Sequence, residues 1–190
     1  YVLGLLAADG FGIHHHAVDS LVRLAAQSQD TAFLTVRSGT YGVCLHREEG
    51  TYPIRSHVLA AGDRHPLMVS AGNLAMLACL PDREVDFILE THAEACAERY
   101  PRLVAPKVRE VLAEARAQGY AINRGLTFPG SWGLGVAIRG YDDEPIAALS
   151  IAAIEGRLGE ERQTSLAQLL HREAREIESR MRAMVDVRHR

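Results

Sequence analysis

Apolar residues recur along the chain with two different periods, and the changes of period divide it into segments. Over residues 16–27, Val18, Leu21, Val22, Leu24 and Ala25 fall on one side of a 3.6-residue repeat, which predicts a helix. Residues 31–36 are short and β-rich, residues 41–46 alternate around Val43 and Leu45, and residues 52–59 complete a set of three predicted strands. Ser38-Gly39-Thr40 and Glu48-Glu49-Gly50 lie between them as hairpin turns. A loop over residues 60–66 leads into a helix over 70–79. Pro81-Asp82 opens the next helix, with Val85, Ile88 and Leu89 inward. Pro106 begins a third, marked by Val108, Val111, Leu112 and Ala115 and closed by Gly119 as a C-terminal cap.

Strand patterns return at residues 120–123, 132–139 and 145–153, the last two separated by the acidic turn Tyr141-Asp142-Asp143-Glu144. Residues 160–184 close the chain as an amphipathic helix with Leu166, Leu169, Leu170, Ile177, Met181 and Met184 along one side. Strand triplets on either side of a helical insertion predict one α+β domain over residues 1–190, an antiparallel sheet with helices packed on it.

Composition narrows the function. The 190 residues carry 21 Lys+Arg against 24 Asp+Glu, a net charge of -3, which argues against this chain gripping nucleic acid by itself. Lys107 is the only lysine, and the scattered arginines read as genome composition. No apolar run is long enough to span a bilayer, so no membrane partner is expected. The apolar start Tyr1-Val2-Leu3-Gly4-Leu5-Leu6-Ala7-Ala8 lacks the basic flank of a signal peptide. Cys44, Cys79 and Cys96 show no CxxC spacing, so no disulfide framework is expected and the expected compartment is the cytoplasm. A start at Tyr1 rather than Met suggests a piece of a longer protein.

Four segments carry a resemblance. His65-Pro66-Leu67-Met68-Val69-Ser70-Ala71-Gly72-Asn73-Leu74-Ala75-Met76-Leu77-Ala78 resembles the Pro-Leu-x-x-x-Ala-x-Gly-x-x-x-Leu-Ala signature of the isocitrate-lyase-regulator (IclR) family of bacterial transcription factors. Arg116-Ala117-Gln118-Gly119-Tyr120-Ala121 resembles its Arg-x-x-Gly-Tyr-Ala, and Ile146-Ala147-Ala148-Leu149-Ser150-Ile151 its Val-Ala-Ala-Leu-Ser-Val. Tyr1-Val2-Leu3-Gly4 is similar to the Tyr-x-Leu-Gly that follows the family's DNA-binding domain. The resemblance implies a GAF-like effector-binding domain, with the winged helix-turn-helix preceding Tyr1 and absent from this chain. It implies a small-molecule carboxylate effector, promoter DNA reached through that other domain, and assembly as a homodimer or homotetramer.

The segment Ser70 to Asn73 holds only small side chains at a helix start, where a ligand can approach backbone N–H groups that favour negative charge. An ordinary helix capped by Ser70 is the alternative from the residues alone. By the resemblance, Ala71 and Gly72 hold a carboxylate through backbone N–H, Ser70 and Ser150 add hydrogen bonds, and Asn123, Gly133 and Ala152 line the opposite wall. Members that bind small oxo-acids carry Asp, Cys, Ser and Ser where this chain has Asn123, Gly133, Ser150 and Ala152. Asn73-Leu74 replaces the frequent Gly-Lys, and Arg124-Gly125 stands where an acidic pair is usual. With Trp132, Met68, Phe128 and Val58 as apolar surface, a larger, less polar acid than glyoxylate or pyruvate is expected, aromatic or longer-chained.

Other chemistry is weaker. His14-His15-His16 reads as the exposed start of the first helix, and neither His92 with Cys96 nor Cys44 with His46 acquires a third ligand, so no metal or cofactor is expected. There is no Gly-x-Ser-x-Gly motif and no cysteine with an assignable base, so no catalytic residue is expected. On the last helix, Arg172, Glu173, Arg175, Glu176, Glu178, Arg180 and Arg182 read as a solvated face of mixed sign. A stand-alone GAF-like sensor or a small enzyme with an open pocket remains the alternative.

Overall fold

The computed structural model describes residues 2–55 and 58–188, with side chains from residue 12 to residue 183. The order is α1 (Val2–Ser28), β1 (Thr31–Ser38), β2 (Tyr41–Glu48), β3 (Arg64–Pro66), α2 (Ala71–Ala78), α3 (Asp82–Arg99), α4 (Ala105–Gln118), β4 (Ala121–Arg124), β5 (Ser131–Arg139), β6 (Pro145–Ile154) and α5 (Glu160–Arg188). The strands form one antiparallel sheet in the order β3-β2-β1-β6-β5-β4, the predicted α+β architecture.

Alternation along the strands sends each side chain set to a different layer. Ala32, Leu34 and Val36 of β1, Leu134, Val136 and Ile138 of β5, and Leu149 and Ile151 of β6 form one core with α1 and α5. The opposite face carries α2, α3 and α4, whose core includes Leu74, Leu77, Val85, Ile88, Val108 and Leu112. Large residues thus face α1 and α5, and mostly small ones face α2.

Four expectations are corrected. The first helix begins at Val2, so the histidine run lies inside α1 rather than at its start. Gly10 and Gly12 weaken the helical pattern there, while Ile13, Ala17 and Leu21 anchor the helix on the sheet. No strand forms over the described part of residues 52–59, and residues 56–57 lie outside the described residues. The third strand is Arg64–Pro66, inside the expected loop. Pro53 has no N–H to donate, and Ile54, which supplied the apolar pattern, is exposed. The expected hairpin at 48–50 is instead a close approach: a Cβ on Gly50 would strike the Gln29 backbone, and the Tyr52 N–H donates to the Gln29 carbonyl at 2.9 Å. Glu173 is buried rather than solvated.

The Glu173 carboxylate accepts from Arg23 at 2.6 Å, joining α5 to α1. Burial pushes its pKa up, but hydrogen bonds from Arg23 and Ser20 outweigh this and hold it below the usual value of 4.5. Met181 packs beside the same core, and the Met184 side chain lies outside the described residues. The predicted cap holds at Gly119, left-handed at φ 86° and bonded to the Ala115 carbonyl, whereas Pro81, expected in the first turn of α3, is its N-cap.

Five histidines share a titration direction. His14, His16, His65, His92 and His171 are all pushed below 6.5, in each case first by burial. The unfolded chain therefore binds more protons than the native one below about pH 6.5, and stability rises with pH through that range. Their contribution is complete above 6.5 and is lost as pH falls through the lowered native values. Urea midpoints are expected to drop between about pH 7.5 and 5.5; a flat or inverted profile would overturn this account.

Candidate functional site

The site is made where α2 crosses β5 and β6. Gly133, Gly135 and Ala137 on β5, with Ala148, Ser150 and Ala152 on β6, occupy alternate positions on the side facing α2. A Cβ on Gly135 would lie 2.6 Å from the Ala71 carbonyl oxygen and 2.8 Å from the Gly72 nitrogen, so only glycine lets the helix backbone sit this low. A Cβ on Gly133 would come 3.0 Å from the Ala71 Cβ, and one on Gly72 3.2 Å from the Ser150 hydroxyl.

Ser70 caps α2, its Oγ accepting the Asn73 N–H at 3.3 Å. Its hydroxyl proton remains available to a further acceptor. The N–H groups of Ala71 and Gly72 belong to the first turn, where no helical carbonyl precedes them. Asn73 donates its side-chain amide to the carbonyls of Pro66 at 3.1 Å and His65 at 3.4 Å, binding β3 to α2.

In front of this helix start is a cavity. Its sheet side is made by Phe33, Asn123, Trp132, Gly133, Ser150 and Ala152, and its remaining walls by Val58, Leu59, His65, Val69-Ser70-Ala71 and Thr127-Phe128, with Ser131 and Ile151. The space, including its opening to solvent, is about 470 Å³. Among the described residues no carboxylate, lysine or arginine lines it. Ser150 is buried, and among the described residues its hydroxyl has no hydrogen-bond partner. Asn123 is engaged: its Nδ2 donates to Thr127 Oγ1 and its Oδ1 accepts the Leu126 N–H, both at 2.8 Å. Thr127 in turn donates to the Val69 carbonyl at 3.2 Å, tying the β4–β5 turn to the approach to α2.

Nine of the expected residues line this cavity together: Val58, Ser70, Ala71, Asn123, Phe128, Trp132, Gly133, Ser150 and Ala152. Gly72 lies just behind the wall, against Ser150. Met68 is corrected: it is buried in the α2–α4 core, and Val69 lines the cavity instead. The loop from β3 turns residue 68 inward, which periodicity does not reveal in a segment without regular structure. Phe33, Leu59, His65, Thr127, Ser131 and Ile151 were not anticipated. Alternation on β1 puts Phe33 on the face opposite Ala32 and Leu34, and its pairing with Ser150 completes the signal. Nothing local marks His65.

The other candidate groups stay apart from this cavity. His14 Nε2 pairs with His46 Nδ1 at 3.1 Å, and His92 Nε2 with Thr40 Oγ1 at 2.9 Å. Burial pushes the Cys44 thiol up to about 11, which leaves it protonated and unreactive at neutral pH. Among the described residues no three His, Cys, Asp or Glu side chains are placed to hold a metal ion. No helix among them is long and apolar enough to cross a membrane. Asp142, Asp143 and Glu144 form an exposed turn.

Compared with known proteins, residues 6–179 match the family described as bacterial transcriptional regulator IclR, C-terminal. The chain belongs to the IclR family. A probable HTH-type transcriptional regulator, ArcR, from Halobacterium salinarum is 28% identical over 74% of this chain and 54% of its own length. The HTH-type transcriptional repressor AllR of Klebsiella pneumoniae is 31% identical over 82% of the chain and 57% of its own length. The chain thus spans little more than half of these relatives. Thermotoga maritima IclR has the same fold, with a TM-score of 0.78 at 23% identity over 92% of this chain and 74% of that one. An IclR homologue from Microbacterium hydrocarbonoxydans, solved in complex with 4-hydroxybenzoate, superposes with a TM-score of 0.74 at 22% identity over 90% of this chain and 68% of that one. Three of the four resembling segments fall within the matched residues and point to the right family; Tyr1-Val2-Leu3-Gly4 precedes them, and Tyr1 lies outside the described residues.

Proposed function

We propose that this IclR domain senses a small aromatic or longer-chain monocarboxylate, and that the regulator it belongs to contacts promoter DNA through a different part. The observation that carries the reading is the convergence of the first turn of α2 and the unpartnered Ser150 hydroxyl on one uncharged cavity. A helix start favours an anion by about 0.3 to 2 kcal/mol, and hydrogen bonds from backbone N–H and hydroxyl groups to a carboxylate are of the strong, charge-assisted kind. A second carboxylate would meet no Lys or Arg among the described residues of the wall, and an uncompensated buried charge costs several kcal/mol. The apolar surface of Phe33, Val58, Phe128 and Trp132 suits a ring or chain. The 4-hydroxybenzoate complex of the Microbacterium homologue supports that class.

The domain acts as a binding module rather than an enzyme. It signals in a dimer or tetramer in the cytoplasm, because the effector binds one state of the assembly more tightly than the other. Calorimetry on the chain with benzoate, 4-hydroxybenzoate, glyoxylate and succinate tests this. The two aromatic acids are expected to bind and the dicarboxylate to fail. Ser150→Ala is expected to weaken benzoate about ten- to a hundredfold, the loss of one hydrogen bond to a charged group. Binding confined to glyoxylate or succinate, or an unchanged Ser150→Ala affinity, overturns the reading.

A further inference from the structure

Besides the helix start, Ser150 and the mutually bonded Asn123 and Thr127, the cavity wall carries an imidazole. His65 lies on β3, is 7% exposed and lines the cavity. Its backbone is held from two sides, by pairing with Gly42 on β2 and by the Asn73 amide on its carbonyl. Its ring is held from a third, because Nδ1 lies 3.1 Å from the Tyr100 hydroxyl. Tyr100, at the end of α3, is 3% exposed and does not itself line the cavity. The Tyr100 ring meets Phe128 edge-on at 6.1 Å, so the same phenol braces an aromatic wall of the cavity.

The hydrogen-bond arithmetic then determines the tautomer. A phenol has one proton, and among the described residues His65 Nδ1 is the partner found for the Tyr100 hydroxyl. If Nδ1 carried the proton, the phenol would accept and its own buried O–H would be left without an acceptor, which folded proteins avoid. The phenol therefore donates to Nδ1, and the imidazole proton sits on Nε2. Burial, reinforced by the nearby Arg99, holds the His65 pKa below 6.5, so the ring is neutral at pH 7. Among the described residues Nε2 has no hydrogen-bond partner. With Nδ1 turned to Tyr100, the free Nε2–H is an oriented donor on the cavity wall.

We propose that His65 is a specificity-determining residue of this cavity: its Nε2–H donates to a second acceptor oxygen of the effector, distinct from the carboxylate, and Tyr100 is the positioning residue that selects the tautomer. This rests on the reading of the cavity as a carboxylate-effector site. It names the effector class more closely, as an aromatic monocarboxylate with a ring oxygen such as a phenolic hydroxyl. Benzoate then satisfies the helix start but leaves Nε2–H unpaired.

The test compares benzoate with 3- and 4-hydroxybenzoate on the chain and on three variants. The better hydroxybenzoate is expected to bind wild type about tenfold tighter than benzoate, a gap of roughly 1.4 kcal/mol. In His65→Phe, which keeps an aromatic ring but has no donor, that ratio falls to about one, read against benzoate in the same variant. His65→Gln, which retains an N–H, restores part of the ratio and serves where the Phe variant fails to fold. Two-dimensional proton–nitrogen spectra of the ligand-free chain are expected to show the Nε2–H tautomer of His65, and a mixture in Tyr100→Phe. A wild-type Nδ1–H tautomer overturns the proposal, as does a His65→Phe variant that loses benzoate and hydroxybenzoates equally. Failure of all three acids to bind wild type overturns the reading of the cavity and the proposal with it. Binding that ignores His65 overturns the proposal alone.

Discussion

Replacing Gly135 by alanine is expected to destroy effector binding while leaving a folded domain. The added Cβ would sit 2.6 Å from the Ala71 carbonyl oxygen, 2.7 Å from the Ala71 carbonyl carbon and 2.8 Å from the Gly72 nitrogen. All three are backbone atoms, so no side chain can swing aside. Strand β5 cannot retreat, because Gly135 is paired with Ser150 on β6 and with Ala121 on β4. The start of α2 must move instead. Forcing extra atoms into a packed layer costs about 1–3 kcal/mol, or several degrees in Tm for a domain of this size. Binding suffers more, since the Ala71 and Gly72 N–H groups and the Ser150 hydroxyl must converge within about 3.2 Å of the same oxygens. A loss of about a hundredfold or more in affinity for 4-hydroxybenzoate is expected by calorimetry, the equivalent of two hydrogen bonds to a charged group. Gly133→Ala comes close to the Ala71 Cβ, at 3.0 Å, with the Ile151 carbonyl oxygen at an ordinary 3.7 Å, and is the milder substitution. Wild-type affinity in a correctly folded Gly135→Ala protein would sink the assignment of α2's first turn to the carboxylate.

The largest loss of stability is expected from Asp30→Ala. The Asp30 side chain is 2% exposed and lies just before β1. It accepts from Arg157 Nε at 2.9 Å and Arg162 Nη2 at 2.8 Å. Both arginines also donate to the Ser28 carbonyl, and Arg157 stacks on Tyr52 at 3.7 Å. One carboxylate thus joins the α1–β1 turn to the loop before α5 and to the segment after β2. Removing it strands two guanidinium groups with side-chain exposures of 16% and 35%. Deleting one partner of a buried pair costs about 3–5 kcal/mol. Because Arg162 already reaches solvent, the lower end applies, with a Tm lower by roughly 10 °C. Arg162→Ala, which leaves the Arg157 pair intact, is expected to cost under about 1 kcal/mol. An Asp30→Ala melting curve within a degree or two of wild type would refute the role given to this network.

Legibility in the sequence followed the strength of the local signal. Helices α3 and α4 were readable because Val85, Ile88 and Leu89, and Val108, Val111 and Leu112, repeat at helical spacing and end at Pro or Gly. Strands β5 and β6 were readable from their alternation. Residues 52–59 misled, because Ile54, Val58 and Leu59 resemble a strand pattern, yet Ile54 is exposed and Val58 and Leu59 form a cavity wall. The short β3 was invisible, since Arg64-His65-Pro66 has no strand pattern and is held by Asn73 and β2 from outside.

The cavity divides in the same way. Ser70, Ala71 and Ser150 stood out by motif, whereas Met68 was misplaced and Phe33 and His65 passed unnoticed. By itself the sequence determined the element order, the family and the small-residue stripe on which α2 rests, because these depend on spacing of a few residues or on short contiguous motifs. Tertiary structure alone decided that His65 faces the cavity with its tautomer set by Tyr100, that Gly135 meets the α2 backbone, and that Asp30 serves two arginines more than 120 residues away. Those contacts join chain segments distant in sequence, and their energy comes from burial and from paired donors and acceptors that no local pattern records.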